Sequence, residues 1–192
     1  MPLTNAVEIC NSALLLIGAD EISDFTEETR EAQVCNQIYT TIRNTTLQKY
    51  PWRFSLTLRQ LAQLAVTPPE AEEFGFEFAY QLPSDSLRVI RTADAGDDYL
   101  IFQNLLFTNN DEVFVEYQQA VDESQFPDYF RSALELVLAE RLALTLEDQL
   151  GKYQLLQQAA LRELAIAKNI DAQEQPVADV GDNNFLFTLV RT

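Results

Sequence analysis

Apolar side chains recur at Ala6, Ile9, Cys10, Ala13, Leu14 and Ile17, the i, i+3, i+4, i+7 spacing that lines one face of an α-helix. Thr4 or Asn5 can cap its start, and Gly18, at ease in a left-handed backbone, ends it. A polar link over residues 19–25 leads to Thr26, followed by Glu27 and Glu28 where the helix dipole favours carboxylates. A second helix is predicted from there to about Lys49, burying Ala32, Cys35, Ile38, Tyr39, Ile42 and Thr46 and turning Glu31, Gln37, Arg43 and Asn44 outward. Pro51 denies α geometry to Tyr50 and closes it.

The period then changes from 3.6 to 2. Phe54, Leu56 and Leu58 alternate with Ser55, Thr57 and Arg59, and Phe74, Phe76, Phe78, Tyr80 and Leu82 alternate with their neighbours. Tyr99–Phe102, Leu105–Thr108 and residues 113–117 continue as strands, separated by Gln103-Asn104 and Asn109-Asn110-Asp111, which suit tight turns. Leu82-Pro83-Ser84-Asp85 reads as a strand end and turn, because Pro83 removes a ladder donor. The expectation is one antiparallel meander over residues 54–118. Helical spacing returns after Phe126-Pro127, with Phe130, Ala133, Leu134, Val137, Leu138, Leu142 and Leu146 on one wide face. A break over residues 147–151 precedes a fourth helix with Tyr153, Leu156, Ala160, Leu164 and Ala167 inward and Lys152, Arg162 and Lys168 outward, fading near Ile170. The predicted fold is α+β: an N-terminal helical pair (1–50), an inserted β subdomain (51–124), a second helical pair completing a four-helix body (125–170), and an extended tail (171–192).

The tail fits neither core pattern. Asp171, Glu174, Pro176, Asp179, Gly181 and Asp182 form a polar linker, and Phe185, Leu186, Phe187, Leu189 and Val190 then make an apolar segment broken only by Thr188 and closed by Arg191 and Thr192. Ends of chains are normally polar, so this segment calls for a surface to cover it. A strand-like anchor on a linker can add to a sheet edge or fill a groove between subunits.

Composition narrows the chemistry. The chain has 192 residues, 47% of them apolar, with 13 Lys and Arg against 30 Asp and Glu and no histidine, a net charge of −17. That length can bury a sizeable core. The charge is of the wrong sign for holding phosphate backbones or anionic membranes. Without histidine there is no Ser-His or Cys-His nucleophile, no His-containing zinc site and no histidine switch. Cys10 and Cys35, both inside helical apolar patterns, read as buried small residues of a chain made in a reducing cytoplasm. The apolar run at residues 14–17 is far below the roughly 20 residues of a membrane span, and no signal peptide or anchor is expected.

No cofactor or metal site is expected. The five glycines are too dispersed for a phosphate-binding loop. Asp94-Ala95-Gly96-Asp97-Asp98 has calcium-like composition without the alternating ligands and closing glutamate of an EF-hand, and reads as a solvated turn. Two alternatives remain: a carboxylate-dependent cell-wall hydrolase, with an acid and a base flanking a glycosidic bond, and an acidic decoy that imitates DNA. The only tryptophan, in Tyr50-Pro51-Trp52-Arg53-Phe54, follows a helix stop and is expected to plug the junction between helices and sheet, with Phe54 and Pro83 as further structural residues there.

Taken in order, several of these pieces resemble the head-to-tail adaptor, or tail tubular protein A, family of short-tailed bacteriophages. They are Ala6-Val7-Glu8-Ile9-Cys10-Asn11 with Ala13-Leu14 and Ile17-Gly18; Ala32, Cys35 and Tyr39; Pro51-Trp52 and Phe54; Tyr80-Gln81-Leu82-Pro83-Ser84-Asp85-Ser86-Leu87-Arg88; Phe126-Pro127; and the apolar-aromatic terminus ending in Arg191-Thr192. The resemblance runs along almost the whole chain. It implies a non-enzymatic virion protein, made in the bacterial host's cytoplasm, that forms a dodecameric ring between the portal and the tail nozzle and extends the channel for DNA. It also implies that Phe185, Leu186, Phe187, Leu189, Val190 and Arg191 reach the portal. Twelve copies at −17 would sum to about −200, so that a lumen wall would repel passing DNA rather than bind it.

Overall fold

The computed structural model describes residues 6–92, 98–146 and 150–174. The chain is α+β and divides into two compact units, a helical one from residues 6–54 and 121–174 and a β-rich one from residues 55–92 and 98–120.

The helical unit contains α1 (Ala6–Ile17), α2 (Arg30–Gln48), and two later helices, Asp128–Thr145 and Leu150–Gln173. In α1 the predicted stripe Ile9, Cys10, Ala13, Leu14 and Ile17 is buried. Gly18 ends it at φ +80°, with Gly18 N–H donating to the Leu15 carbonyl and Ala19 N–H to that of Leu14, both 3.1 Å. This paired closure requires a left-handed residue. Asn11 ties down the link that follows, donating to the Ile22 carbonyl (2.8 Å) and accepting from Ile22 N–H (2.9 Å). Helix α2 starts at Arg30, four residues later than its acids suggested. Asp24 Oδ1 takes Thr26 N–H and Glu27 Oε1 takes Ser23 N–H, both 2.7 Å; these side chains fold the segment into turns, and Thr29 becomes the cap, accepting from Ala32 N–H at 3.3 Å.

The other helices lie further along the chain and are numbered after α3 (Pro69–Glu73), a short helix of the β unit. Helix α4 (Asp128–Thr145) buries Phe130, Ala133, Leu134, Val137, Leu138 and Leu142, together with Ala139 and Ala143. It packs against α1, α2 and α5 (Leu150–Gln173) and is the spine of the unit. Helix α5 departs from the expectation at both ends. Gly151 lies inside it rather than in the break, and it runs past Ile170 to take in Asp171, which is fully buried.

The β unit is two sheets rather than one meander. Strands β1 (Leu56–Gln60), β4 (Ser86–Thr92) and β7 (Phe114–Gln119) form one, in the order β1-β7-β4. Strands β2 (Ala62–Gln63), β3 (Phe78–Gln81), β5 (Tyr99–Phe102) and β6 (Leu105–Thr108) form the other, in the order β2-β3-β6-β5. Both are antiparallel. Phe54 is not in a strand, because Arg53–Ser55 makes a single 3-10 turn. Phe74 and Phe76 are not either: the two prolines Pro68 and Pro69 set the start of α3, and Gly75 (φ +83°) turns the chain between them. Their apolar character serves the outer face of the four-stranded sheet, where Phe76 packs beside Ala71, Ala79 and Phe107 and the Phe74 ring lies 5.6 Å from Phe102. The predicted Gln103-Asn104 turn joins β5 to β6 with both residues at positive φ, +48° and +65°, as a two-residue hairpin requires. Between the sheets lie Tyr80, Leu82, Leu106, Val113, Val115 and Tyr117.

Candidate interaction surface

The predicted docking residues Phe185, Leu186, Phe187, Leu189, Val190 and Arg191 lie outside the described residues, as does most of the acidic run 94–98. Trp52 and Phe54 belong to the helical unit and Pro83 to the β unit. Trp52 is fully buried. Its indole stands edge-on to Tyr50 and Phe130, each at 5.0 Å, and its Nε1 donates to the Thr46 carbonyl at 3.2 Å. Phe54 completes an aromatic group with Phe126 (5.9 Å) and Phe130 (5.0 Å). Pro83 is half-buried, and its carbonyl accepts Ser86 N–H at 3.0 Å in the turn before β4.

Directly before the tail sits a clamp. The buried Asp171 carboxylate accepts Arg53 N–H (3.1 and 3.3 Å to its two oxygens) and the Tyr129 hydroxyl (2.9 Å), while Arg53 Nε donates to the Asp171 carbonyl at 2.9 Å. Burial, then the hydrogen bond to Asp171 and its charge, push the Tyr129 hydroxyl well above its usual range, so Tyr129 stays a donor. The clamp fixes the last turn of α5 to residue 53 and to α4, and thereby the place from which the chain departs after residue 174. By sequence Asp171 reads as the first residue of the polar linker. Its spacing from Ala160, Leu164 and Ala167 continues the inward stripe, and that was the signal.

A second polar cluster joins α2 to the segment before α4. Glu123 Oε1 accepts from Arg43 (2.8 Å) and from the Tyr39 hydroxyl (3.0 Å), with the Phe25 ring 6.0 Å from that of Tyr39. Burial and the neighbouring Glu123 charge raise Tyr39. For Glu123 itself burial acts upward, but the hydrogen bonds from Arg43 and Tyr39 outweigh it and hold the carboxyl below its ordinary 4.5. A depressed carboxylate stabilises the fold fully above its unfolded value and loses that contribution as pH falls through the folded one. Glu123→Gln is therefore expected to cost about 1–2 kcal/mol near neutral pH. The gap from the natural protein should close as pH falls through the lowered folded value, read by urea titrations across pH; a gap independent of pH would refute the assignment.

Large apolar side chains remain exposed on the helical unit. On α1 Leu15 is 68% and Leu16 46% exposed, and on α5 Leu155 is 70%, Leu161 65% and Ile166 43% exposed. The α5 residues lie off the stripe that faces the core, and the helical period that marks that stripe does not mark them. Single exposed leucines are ordinary, but repeated ones along a helix of about 36 Å suggest a surface that packs against something.

No family model matches this chain, and no curated protein matches it.

Other features of the described residues bear on metals, membranes and cysteine chemistry. Among them no group of three or more Cys, Asp or Glu side chains is placed to hold a metal ion, and no helix is long and apolar enough to cross a membrane. Cys10 and Cys35 are free and buried; a hydrogen bond between the two thiols and burial hold Cys10 far above the range in which a thiolate forms. A hollow of about 440 Å³ in the β unit is lined by Phe74, Gly75, Phe76, Tyr99 and Leu100, with Asp98 and Asn109 at its polar side.

Proposed function

We propose that this protein is a virion structural component, a ring-forming head-to-tail adaptor that joins the portal of a short-tailed bacteriophage to the tail nozzle and surrounds the path of the leaving DNA. The observation that carries the reading is the set of exposed leucine and isoleucine side chains on α1 and α5 of an otherwise acidic molecule. Such side chains suit packing of one copy against the next, and a head-to-tail contact whose rotation closes makes a ring. The ordered motifs that resemble the adaptor family supply the partners: further copies of itself, twelve to a ring by that resemblance, the portal, and the nozzle. The acidic surface fits passage of DNA without capture. The hydrolase alternative needs a pair of acids facing a cleft, whereas Glu123 and Asp171 spend their hydrogen-bonding capacity on Arg43, Tyr39, Tyr129 and Arg53.

Mass photometry of the purified chain, alone and with the portal of the same phage, tests this against a chain truncated after Asn184. The expected result is a ring-sized species or a portal complex, with attachment to the portal lost on truncation while far-UV circular dichroism stays unchanged. A monomer that ignores the portal at both lengths would overturn the reading.

A further inference from the structure

Strand alternation brings two polar side chains onto the aromatic outer face of the four-stranded sheet. Leu100 and Phe107 pair across β5 and β6 on that face, so Asp98 and Asn109, each two residues further along, share it. One step past the pairing of Tyr99 with Thr108 they stand opposite one another, and the Thr108 hydroxyl holds that step by donating to the Asp98 carbonyl at 3.0 Å. Asn109 Oδ1 accepts Glu77 N–H at 2.9 Å, which fixes the amide and leaves its Nδ2 donors for a ligand. Among the described residues no hydrogen bond takes up the Asp98 carboxylate, since Asp98 is engaged through its carbonyl.

Beside this pair the chain turns at Gly75 (φ +83°), so that Phe74 and Phe76 line the same hollow of about 440 Å³. Gly75 adds no side chain to fill it. The Phe74 ring lies 5.6 Å from that of Phe102 and 6.4 Å from that of Phe107, yet Phe74 is 49% exposed. The hollow therefore has an exposed aromatic wall and, at its polar side, a hydrogen-bond acceptor next to a donor.

We infer that this hollow binds one ring of a neutral pyranose sugar. Such a ring has an apolar face of C–H groups and an edge of hydroxyls. The C–H face suits the electron-rich face of Phe74. Two neighbouring hydroxyls suit the polar pair, one donating to the Asp98 carboxylate and the next accepting from Asn109 Nδ2. A phosphate or an acidic sugar would meet Asp98 in a molecule already at −17. A purely apolar ligand would leave both polar groups unused, and sites for small molecules place such groups to fix orientation. The arrangement serves recognition without turnover: Asp98 is the one acid among the lining residues, and cleavage of a glycosidic bond takes two. The inference stands apart from the virion reading, since it concerns the β unit alone.

Saturation-transfer difference NMR on the full-length protein tests it with the methyl glycosides of glucose, galactose, mannose and N-acetylglucosamine. At least one is expected to receive saturation, strongest at its ring C–H protons, with a Kd on the order of 1 mM. Asn109→Asp keeps an oxygen for Glu77 N–H and removes the Nδ2 donors, and Phe74→Ala removes the aromatic wall. Each should weaken binding about tenfold or more while far-UV circular dichroism stays unchanged. No saturation of any of the four sugars would overturn the inference, as would a signal that survives both substitutions. Binding of glucuronate or choline in place of the neutral sugars would overturn it too, by showing a site for an anion or a cation. Ring formation and portal attachment are read separately, by mass, so either idea can fail while the other stands.

Discussion

Trp52→Ala is expected to destabilise the helical unit by about 3–5 kcal/mol, the range for removing a large aromatic side chain from a packed interior. The indole is fully buried and makes edge-on contacts at 5.0 Å with both Tyr50 and Phe130. Phe130 cannot collapse freely into the space, since it lies on α4 and is itself fully buried. The substitution also leaves the Thr46 carbonyl, near the end of α2, without the Nε1 donor at 3.2 Å. Trp52→Phe separates the two contributions: it keeps most of the ring contact, loses the donor, and should cost about half as much. Urea unfolding followed by far-UV circular dichroism measures both, and a loss under about 1 kcal/mol for alanine would mean that the site collapses around the smaller side chain.

Asp171→Ala should cost about 2–4 kcal/mol, because it empties a fully buried position and removes the acceptor that the half-buried Arg53 N–H and Tyr129 hydroxyl share. Asparagine keeps one acceptor for Arg53 N–H and should recover about half. Tyr129→Phe, which removes only the 2.9 Å hydroxyl contact, should cost about 1 kcal/mol. The local signature is fraying: amides over residues 167–173 should exchange faster in the alanine variant, with the middle of α4 little changed. Loss spread evenly through the helical unit would show that Asp171 supports the bundle as a whole and not the last turn of α5.

Much of this architecture is legible in the chain because period switches are local signals. The change from 3.6 to 2 after Pro51 and back at Phe126-Pro127 locates the β insertion, and Gly18 and Gln103-Asn104 mark turns whose backbone requirements few residues meet. What the sequence concealed depends on partners distant along the chain. Whether Phe74 and Phe76 continue a strand or cover a sheet is decided by Phe102 and Phe107, which lie about 30 residues away. The order β1-β7-β4 joins strands from opposite ends of the insertion, and no local pattern encodes that pairing. Asp171 looked like linker because a carboxylate is usually solvated, and its burial makes sense only once Arg53 and Tyr129 stand beside it. The exposed leucines of α5 fall between the positions of its inward stripe, where no periodic signal singles them out. The start of α2 was misplaced because Asp24 and Glu27 serve turns as readily as they serve a helix dipole.

The interruption of the helical unit by residues 55–120 has a consequence for the order in which the protein is made. Among the described residues the β unit is one contiguous stretch, so its strands β1 to β7 are present once residue 120 has left the ribosome. The helical unit is not: its first 54 residues must wait for α4, and the clamp on Arg53 cannot close until Asp171 emerges. At synthesis rates of about 5–20 residues per second the interval is on the order of ten seconds. Through it, α1 and α2 carry their apolar faces without α4 to cover them, which makes the nascent N-terminal helical pair the stage at which a chaperone would have the most to hold.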